Sequence, residues 1–308
     1  MDKATFERLP TAEVARLVRD SGPKVCGFPI NGTRRWFFLE GSGAGRADYV
    51  DRYVAAVSDR YVKLLKMLFD HGIDTILAPV FGPDLLERGQ AYRALMEEAL
   101  VGFAQRQVFL DFYNEYGVRV RVYGNAERCL EGTRYAGALD VYDELKQRTI
   151  ANEGPRLFYG VCAQDPTETI AELSVSFYGE QNRLPSKQEI VEMYYGEYVP
   201  PVDLFIGFAD RHAVFDMPLV GTGNEDLYFT VSPSPYLDTQ ALRTILFDHV
   251  YARKAAPRYE DLGKDDWDHM KRFYTLNKGQ VQGVGVQRRG IWFPLPQVDL
   301  TEDFWSPT

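Results

Sequence analysis

Short apolar runs alternate along this chain with amphipathic stretches. Residues 24–30 (KVCGFPI), 75–81 (TILAPVF), 118–124 (VRVRVYG), 156–162 (RLFYGVC), 204–208 (LFIGF) and 227–230 (LYFT) read as strands. Several lack polar alternation, as strands buried on both faces of a parallel sheet do. Between them the period changes to that of a helix. Over 48–69, Tyr53, Val54, Val57, Tyr61, Leu64, Leu65 and Leu68 share one face, and Gly72 is placed to end the helix. Ser186-Lys187-Gln188-Glu189 after Pro185 is a capping box, and Asp238 predicts the N-cap of a helix running to about Lys254. The repeated β-α-β-α order predicts an α/β fold with a mostly parallel central sheet flanked by helices. Residues 255–271 read as a charged, solvated helical face and 280–294 as a terminal hairpin. No repeat or linker interrupts the chain, so one domain over 1–308 with a C-terminal hairpin extension is expected.

Composition narrows the functional classes. The net charge is -9, from 35 basic and 44 acidic residues, which disfavours non-specific nucleic-acid binding. A small anion would need arginines concentrated in one place. Cys26, Cys129 and Cys162 are odd in number, widely spaced and without a CxxC. That usage predicts reduced, buried thiols of a cytoplasmic protein rather than a disulfide framework or zinc site. The opening MDKATFERLP lacks an apolar signal core, and no apolar run approaches the roughly 18 residues a membrane span requires.

In open α/β sheets ligands bind beyond the carboxyl ends of the strands. Asn31-Gly32-Thr33-Arg34-Arg35-Trp36 follows the first expected strand as a polar loop. Gly32 lets the backbone come close, Thr33 offers a hydroxyl, and Arg34 and Arg35 supply planar forks matched to phosphate oxygens. An ordinary surface loop is the alternative reading. Other signals fail. Gly41-Ser42-Gly43-Ala44-Gly45-Arg46 lacks both nucleotide-loop registers and reads as a flexible loop. Asp265-Asp266-Trp267-Asp268 has the wrong spacing for a metal motif. The four histidines form no HExxH, with His71 at a helix C-terminus where positive charge is favourable. No GxSxG supports an acyl-transfer serine. The 19 Tyr, 19 Phe and 4 Trp fit core packing or an aromatic cavity for a hydrocarbon and a cation, with Tyr194–Tyr198 the densest cluster.

The stretch 24–36 resembles the opening strand and diphosphate loop of cis-prenyltransferases, where the strand ends in Asp-Gly-Asn-Gly-Arg-Trp. A bacterial diterpenoid-transferring branch carries Asp-Gly-Thr-Arg-Arg-Trp, against Asn31-Gly32-Thr33-Arg34-Arg35-Trp36 here. Further similar segments follow in the same order: GPKV (22–25), LKMLFDHG (65–72), DLLERG (84–89), YYGEYV (194–199), FIGF (205–208), LYFT (227–230), GVGV (283–286) and GIWF (290–293). The resemblance implies an undecaprenyl diphosphate synthase-like fold, a homodimer, and a cavity leading from a diphosphate site into an apolar tunnel. By that carry-over Arg34 and Arg35 hold the diphosphate, and Gly32, Thr33, Trp36 and Arg211 bind substrate. Tyr53 and Tyr92 line the reacting centre, and Asn31 occupies the place of the catalytic aspartate.

The family's later arginine-rich phosphate site is degenerate in 204–215, with Gly207 where chain-elongating members have arginine and only Asp210 and Arg211 left. That loss favours ionisation of one allylic prenyl diphosphate, a C20 bicyclic one, over elongation. The cation would be quenched by water, by a nucleoside acceptor such as adenosine, or by proton loss. A chain-elongating transferase and a non-catalytic partner subunit are the alternatives. Asparagine is neutral and a weak magnesium ligand, so Mg2+ would come in through the diphosphate. Natural divergence and an introduced replacement of aspartate both fit Asn31.

Overall fold

The computed structural model describes residues 1–22, 24–40, 49–82, 93–208, 216–253 and 258–295. Six strands, β1 (Val25–Gly27), β2 (Thr75–Phe81), β3 (Arg119–Tyr123), β4 (Arg156–Val161), β5 (Leu204–Phe208) and β6 (Asp226–Thr230), form one sheet in the order β3-β4-β2-β1-β5-β6. Every pairing in it is parallel. β2 and β5 occupy the expected residues. β1 is shorter than expected, because after Phe28 donates to the Leu77 carbonyl at 2.8 Å the chain meets Pro29, which has no N–H for the ladder.

The helices are α1 (Lys3–Arg8), α2 (Thr11–Asp20), α3 (Thr33–Leu39), α4 (Tyr49–Asp70), α5 (Arg93–Gln105), α6 (Gln107–Tyr116), α7 (Ala126–Leu130), α8 (Ala138–Thr149), α9 (Thr167–Gln181), α10 (Lys187–Tyr195), α11 (Thr239–Phe247) and α12 (Lys264–Asn277). Side chains alternate across the sheet. Cys26, Ile76, Val120, Leu157, Tyr159 and Ile206 pack with Val62, Leu65 and Leu68 of α4. Val25, Leu77, Tyr123, Phe158 and Phe205 pack on the other face with Val191, Tyr194 and Tyr195 of α10. Tyr194 and Tyr195 of the dense tyrosine cluster are thus core residues. Among the described residues no helix is long and apolar enough to cross a membrane.

Local signals set the helix ends. α4 stops at Asp70, and Gly72 follows at φ +94°, where a β-carbon would lie 2.7 Å from the Ala15 carbonyl oxygen. The Ser186–Glu189 capping box forms, and Arg183 with Ser186 holds the Glu189 carboxyl down at about 2. Asp238 caps Ala241 at 2.8 Å, but α11 ends at Phe247 and continues as a π turn over Asp248–Ala252. α12 carries the charged stretch and buries none of its residues. The hairpin forms from β7 (Gly285–Arg288) and β8 (Ile291–Pro294), with Arg289 and Gly290 in the left-handed region at its tip. Residues 41–46 lie outside the described residues.

Two expectations are corrected. Cys129 of α7 and Cys162 form a disulfide, leaving Cys26 as the buried free thiol. The parallel β3–β4 pair carries α7 over the end of β4, a proximity that the sequence separation of 33 conceals. His71 does follow the last residue of α4, but positive charge is not favoured on it. It is 3% exposed, and burial first, then Arg243, pushes its pKa down. Nδ1 donates to the Met67 carbonyl at 2.7 Å while Nε2 accepts from Arg243 at 3.4 Å, so the neutral ring is the one that fits.

Candidate functional site

The sheet has one topological switch. From β1 the chain fills the side of β2, β4 and β3, then crosses back to lay β5 and β6 on the other side. Adjacent crossovers leave in opposite directions there and open a crevice at the carboxyl ends of β1 and β5. Asn31–Trp36 lies at that point. It is not the polar loop expected from sequence: Gly32 is the N-cap of α3 at φ +76°, and Thr33 to Trp36 form its first turn. Gly32 is required there twice over. Its backbone is left-handed, and a β-carbon would come within 2.8 Å of Pro233 and 3.1 Å of Phe208. The Trp36 N–H already donates to the Gly32 carbonyl at 2.9 Å, while the N–H groups before it in a helix have no intrahelical acceptor, so the start of α3 presents backbone donors beside Arg34 and Arg35.

Three neighbouring elements fix the turn. The Asn31 N–H donates to Ser234 Oγ at 3.1 Å, and the Asn31 carbonyl accepts from the Ser234 N–H at 3.0 Å. Arg60 of α4 secures that Ser-Pro turn, with Nε donating to the Pro235 carbonyl at 2.6 Å and Nη2 to that of Leu237 at 3.0 Å. Thr33 Oγ1 and Tyr53 Oη of α4 are hydrogen-bonded at 2.7 Å. Arg35 lies over the Phe208 ring at 5.2 Å and is half-buried, while Arg34 is exposed over Phe38 at 5.6 Å. Trp36 packs on the apolar cluster of Phe37, Tyr53 and Val54. Tyr53 meets Phe37 edge-on at 5.3 Å and stacks with Tyr49 at 6.0 Å.

The structure therefore gathers Asn31, Gly32, Thr33, Arg34, Arg35, Trp36 and Tyr53 into one place. Tyr92 and Arg211, with Asp210, lie outside the described residues. Sequence reasoning passed over Ser234, Arg60 and Tyr49. The repeated Ser-Pro of Ser232-Pro233-Ser234-Pro235, directly after β6, was the available signal for the first. Gly207 is packed shut: a β-carbon there would lie 2.7 Å from Phe205 and 3.1 Å from Phe229, so an arginine has no room. Among the described residues no group of three metal-ligating side chains gathers. The amide of Asn31 with two arginines is not a donor set for a protein-held Mg2+.

No family model matches the chain. Individual relatives do. The chain is 40% identical over 291 residues to tuberculosinyl adenosine transferase of Mycobacterium tuberculosis (strain CDC 1551 / Oshkosh), covering 94% of this chain and 96% of that protein. This chain belongs to the cis-prenyltransferase superfamily. Within that superfamily it is also 25% identical over 284 residues to (+)-kolavelool synthase of Herpetosiphon aurantiacus, covering 90% of this chain and 91% of the synthase. Lavandulyl diphosphate synthase from Lavandula x intermedia, solved with dimethylallyl diphosphate, shares the fold at TM-score 0.59 and 14% identity, over 75% of this chain and 97% of that one. A probable undecaprenyl diphosphate synthase from Campylobacter jejuni does so at TM-score 0.51 and 13% identity, over 77% and 98%. The cis-prenyltransferase fold expected from sequence is the fold observed.

Proposed function

We propose that the protein ionises one allylic prenyl diphosphate, a C20 bicyclic one, and delivers the cation to water, to a nucleoside such as adenosine, or to proton loss. The observation that carries this reading is the 40% identity to tuberculosinyl adenosine transferase along 94% of the chain. The geometry supplies a physical account. Arg34, Arg35 and the first-turn amides of α3 stabilise charge on the departing diphosphate, a preorganised arrangement that usually gives the largest catalytic term. Thr33 orients Tyr53, and the rings of Trp36 and Tyr53 offer faces to an allylic cation. Mg2+ would be held by the diphosphate oxygens and would neutralise their charge. Tyr92 and Arg211 complete the proposed site by resemblance alone.

The closed space at Gly207 supports a single prenyl substrate over elongation with a second diphosphate. Asn31 favours one other reading, a non-catalytic partner subunit, because an amide is a poor base. Incubation with allylic diphosphates of different length, with and without adenosine, followed by mass spectrometry separates these. Diphosphate release from one C20 substrate alone is the expected result. Longer chains formed only with isopentenyl diphosphate would replace this reading with elongation, and silence across the panel with the partner subunit.

The single-domain organisation over 1–308, a homodimer and a cytoplasmic location belong to the same proposal. Large apolar side chains stand exposed in and after α9, with Val175 73% and Leu184 75% exposed, and beyond β6, with Val231 71% exposed. A second copy would cover them.

A further inference from the structure

A second concavity lies at the far edge of the sheet, beyond the carboxyl end of β3 and between α8, α9 and α10. It encloses about 500 Å3. β3 is three strands from β1, about 14 Å at ordinary strand spacing, so this cavity is separate from the Asn31 turn. Its floor is aromatic, with Tyr123, Tyr142 and Tyr194. Two of their hydroxyls are committed: Tyr123 donates to the Asp216 carbonyl at 2.8 Å, and Tyr142 to the Leu100 carbonyl at 2.9 Å.

Tyr194 is different. It is 6% exposed, its ring touches Tyr123 at 6.2 Å and Tyr195 at 5.1 Å, and its hydroxyl has no hydrogen-bond partner among the described residues. Burial, then Asp216, pushes its pKa up, so it stays a hydroxyl able to donate and accept. The hydroxyl is not sealed off in the core, so it can bond a molecule that enters the cavity. Asn125, at the same wall, is the N-cap of α7 yet its carboxamide caps nothing.

The charged groups facing the cavity are Glu127 from α7, Asp143 and Lys146 from α8, and Glu172 from α9. Arg128 takes Glu172 at 3.3 Å and also pairs with Glu168. With Glu168 counted, four carboxylates stand against Lys146 and Arg128, a surplus of two negative charges above an aromatic floor. That combination selects an organic cation: ring faces and carboxylates both attract ammonium, and a hydrocarbon body fits against Leu139 and Leu173.

We propose that this cavity is a binding site for a small organic ammonium, with Glu127 and Asp143 taking its charge and Tyr194 Oη accepting one of its N–H groups. Phenylethylammonium and its neutral isostere 2-phenylethanol are suitable probes, read by calorimetry on the whole protein. The amine binds and the alcohol binds at least tenfold more weakly. Glu127→Gln and Asp143→Asn each weaken amine binding about tenfold, the size of a lost charge-assisted hydrogen bond. Tyr194→Phe weakens it severalfold while the protein stays folded by circular dichroism. The calorimetry is read without the proposed activity; where the protein turns over a prenyl diphosphate, the double variant Glu127→Gln/Asp143→Asn keeps the wild-type rate. Equal binding of amine and alcohol, no binding of either, or unchanged amine affinity in both carboxylate variants would overturn the assignment. So would loss of turnover in the double variant, since the cavity would then belong to the active site.

Discussion

At Asn31 a carboxamide stands where the superfamily motif has a carboxylate, and both its backbone groups are tied to Ser234. The backbone is therefore fixed whichever side chain it carries. If the amide is an introduced replacement, Asn31→Asp restores a positioned base and raises turnover by roughly 10²–10⁴-fold. If it is native, the same change shifts product ratio or metal response instead. Rates, products and chelator sensitivity identical in both proteins would remove this side chain from the chemistry. Arg34→Ala and Arg35→Ala each lower kcat/KM, by an amount equivalent to about 2–4 kcal/mol of transition-state stabilisation. Lysine does not rescue either fully, lacking the planar fork. The two differ in stability: Arg35 also loses its place over Phe208, worth about 0.5–1 kcal/mol, so its melting temperature falls further than that of the exposed Arg34 variant. Tyr61 behaves oppositely. Its buried hydroxyl has no partner among the described residues, so Tyr61→Phe leaves stability equal or raised by about 1 kcal/mol in urea unfolding.

Among the elements, the junction of α1, α2 and α11 has a built-in pH dependence. Arg243 of α11 donates to the carbonyls of Glu7 and Leu9 at 2.6 and 2.8 Å and to Thr11 Oγ1 at 3.0 Å, while His71 accepts from its Nε. A charged imidazole would face that guanidinium. Because the folded pKa of His71 lies below its ordinary value of 6.5, the unfolded chain binds the proton first as pH falls. The contribution is fully present above 6.5 and is lost as pH drops from there through the folded pKa. Urea midpoints measured from pH 8 to 5 decline on the acid side, and His71→Gln, neutral throughout, flattens that part of the decline. An unchanged slope would assign the acid sensitivity to other groups.

For the whole molecule, the exposed apolar surface at α9 and beyond β6 sets an expectation for assembly. Light scattering at micromolar concentration reports a dimer. Val175→Asp together with Tyr178→Asp, two exposed positions on α9, shifts it to a folded monomer. A wild-type monomer would reject the proposed assembly, and a variant that stays dimeric would move the interface elsewhere.

Much of the fold was legible because its signals are local. A run of apolar residues, a capping box or a glycine after a helix acts within a few residues, so β2, β5, α4 and the α10 cap were readable one by one. The Asn31–Trp36 motif was not legible as conformation. Its polar composition suggests a loop, and only the left-handed Gly32 packed under Pro233 and Phe208 turns it into a helix start. Everything that depends on distant segments was decided by the tertiary structure. The switch between β1 and β5, the Ser234 clasp, the Tyr53 bond to Thr33, the Cys129–Cys162 pair and the neutral His71 all join residues with no local pattern in common. Sequence alone determined elements such as β2, β5 and α4, since hydrophobic period and capping act over a turn or two. The tertiary structure decided which residues meet at the site, because those contacts arise only when the sheet order places separate chain segments side by side.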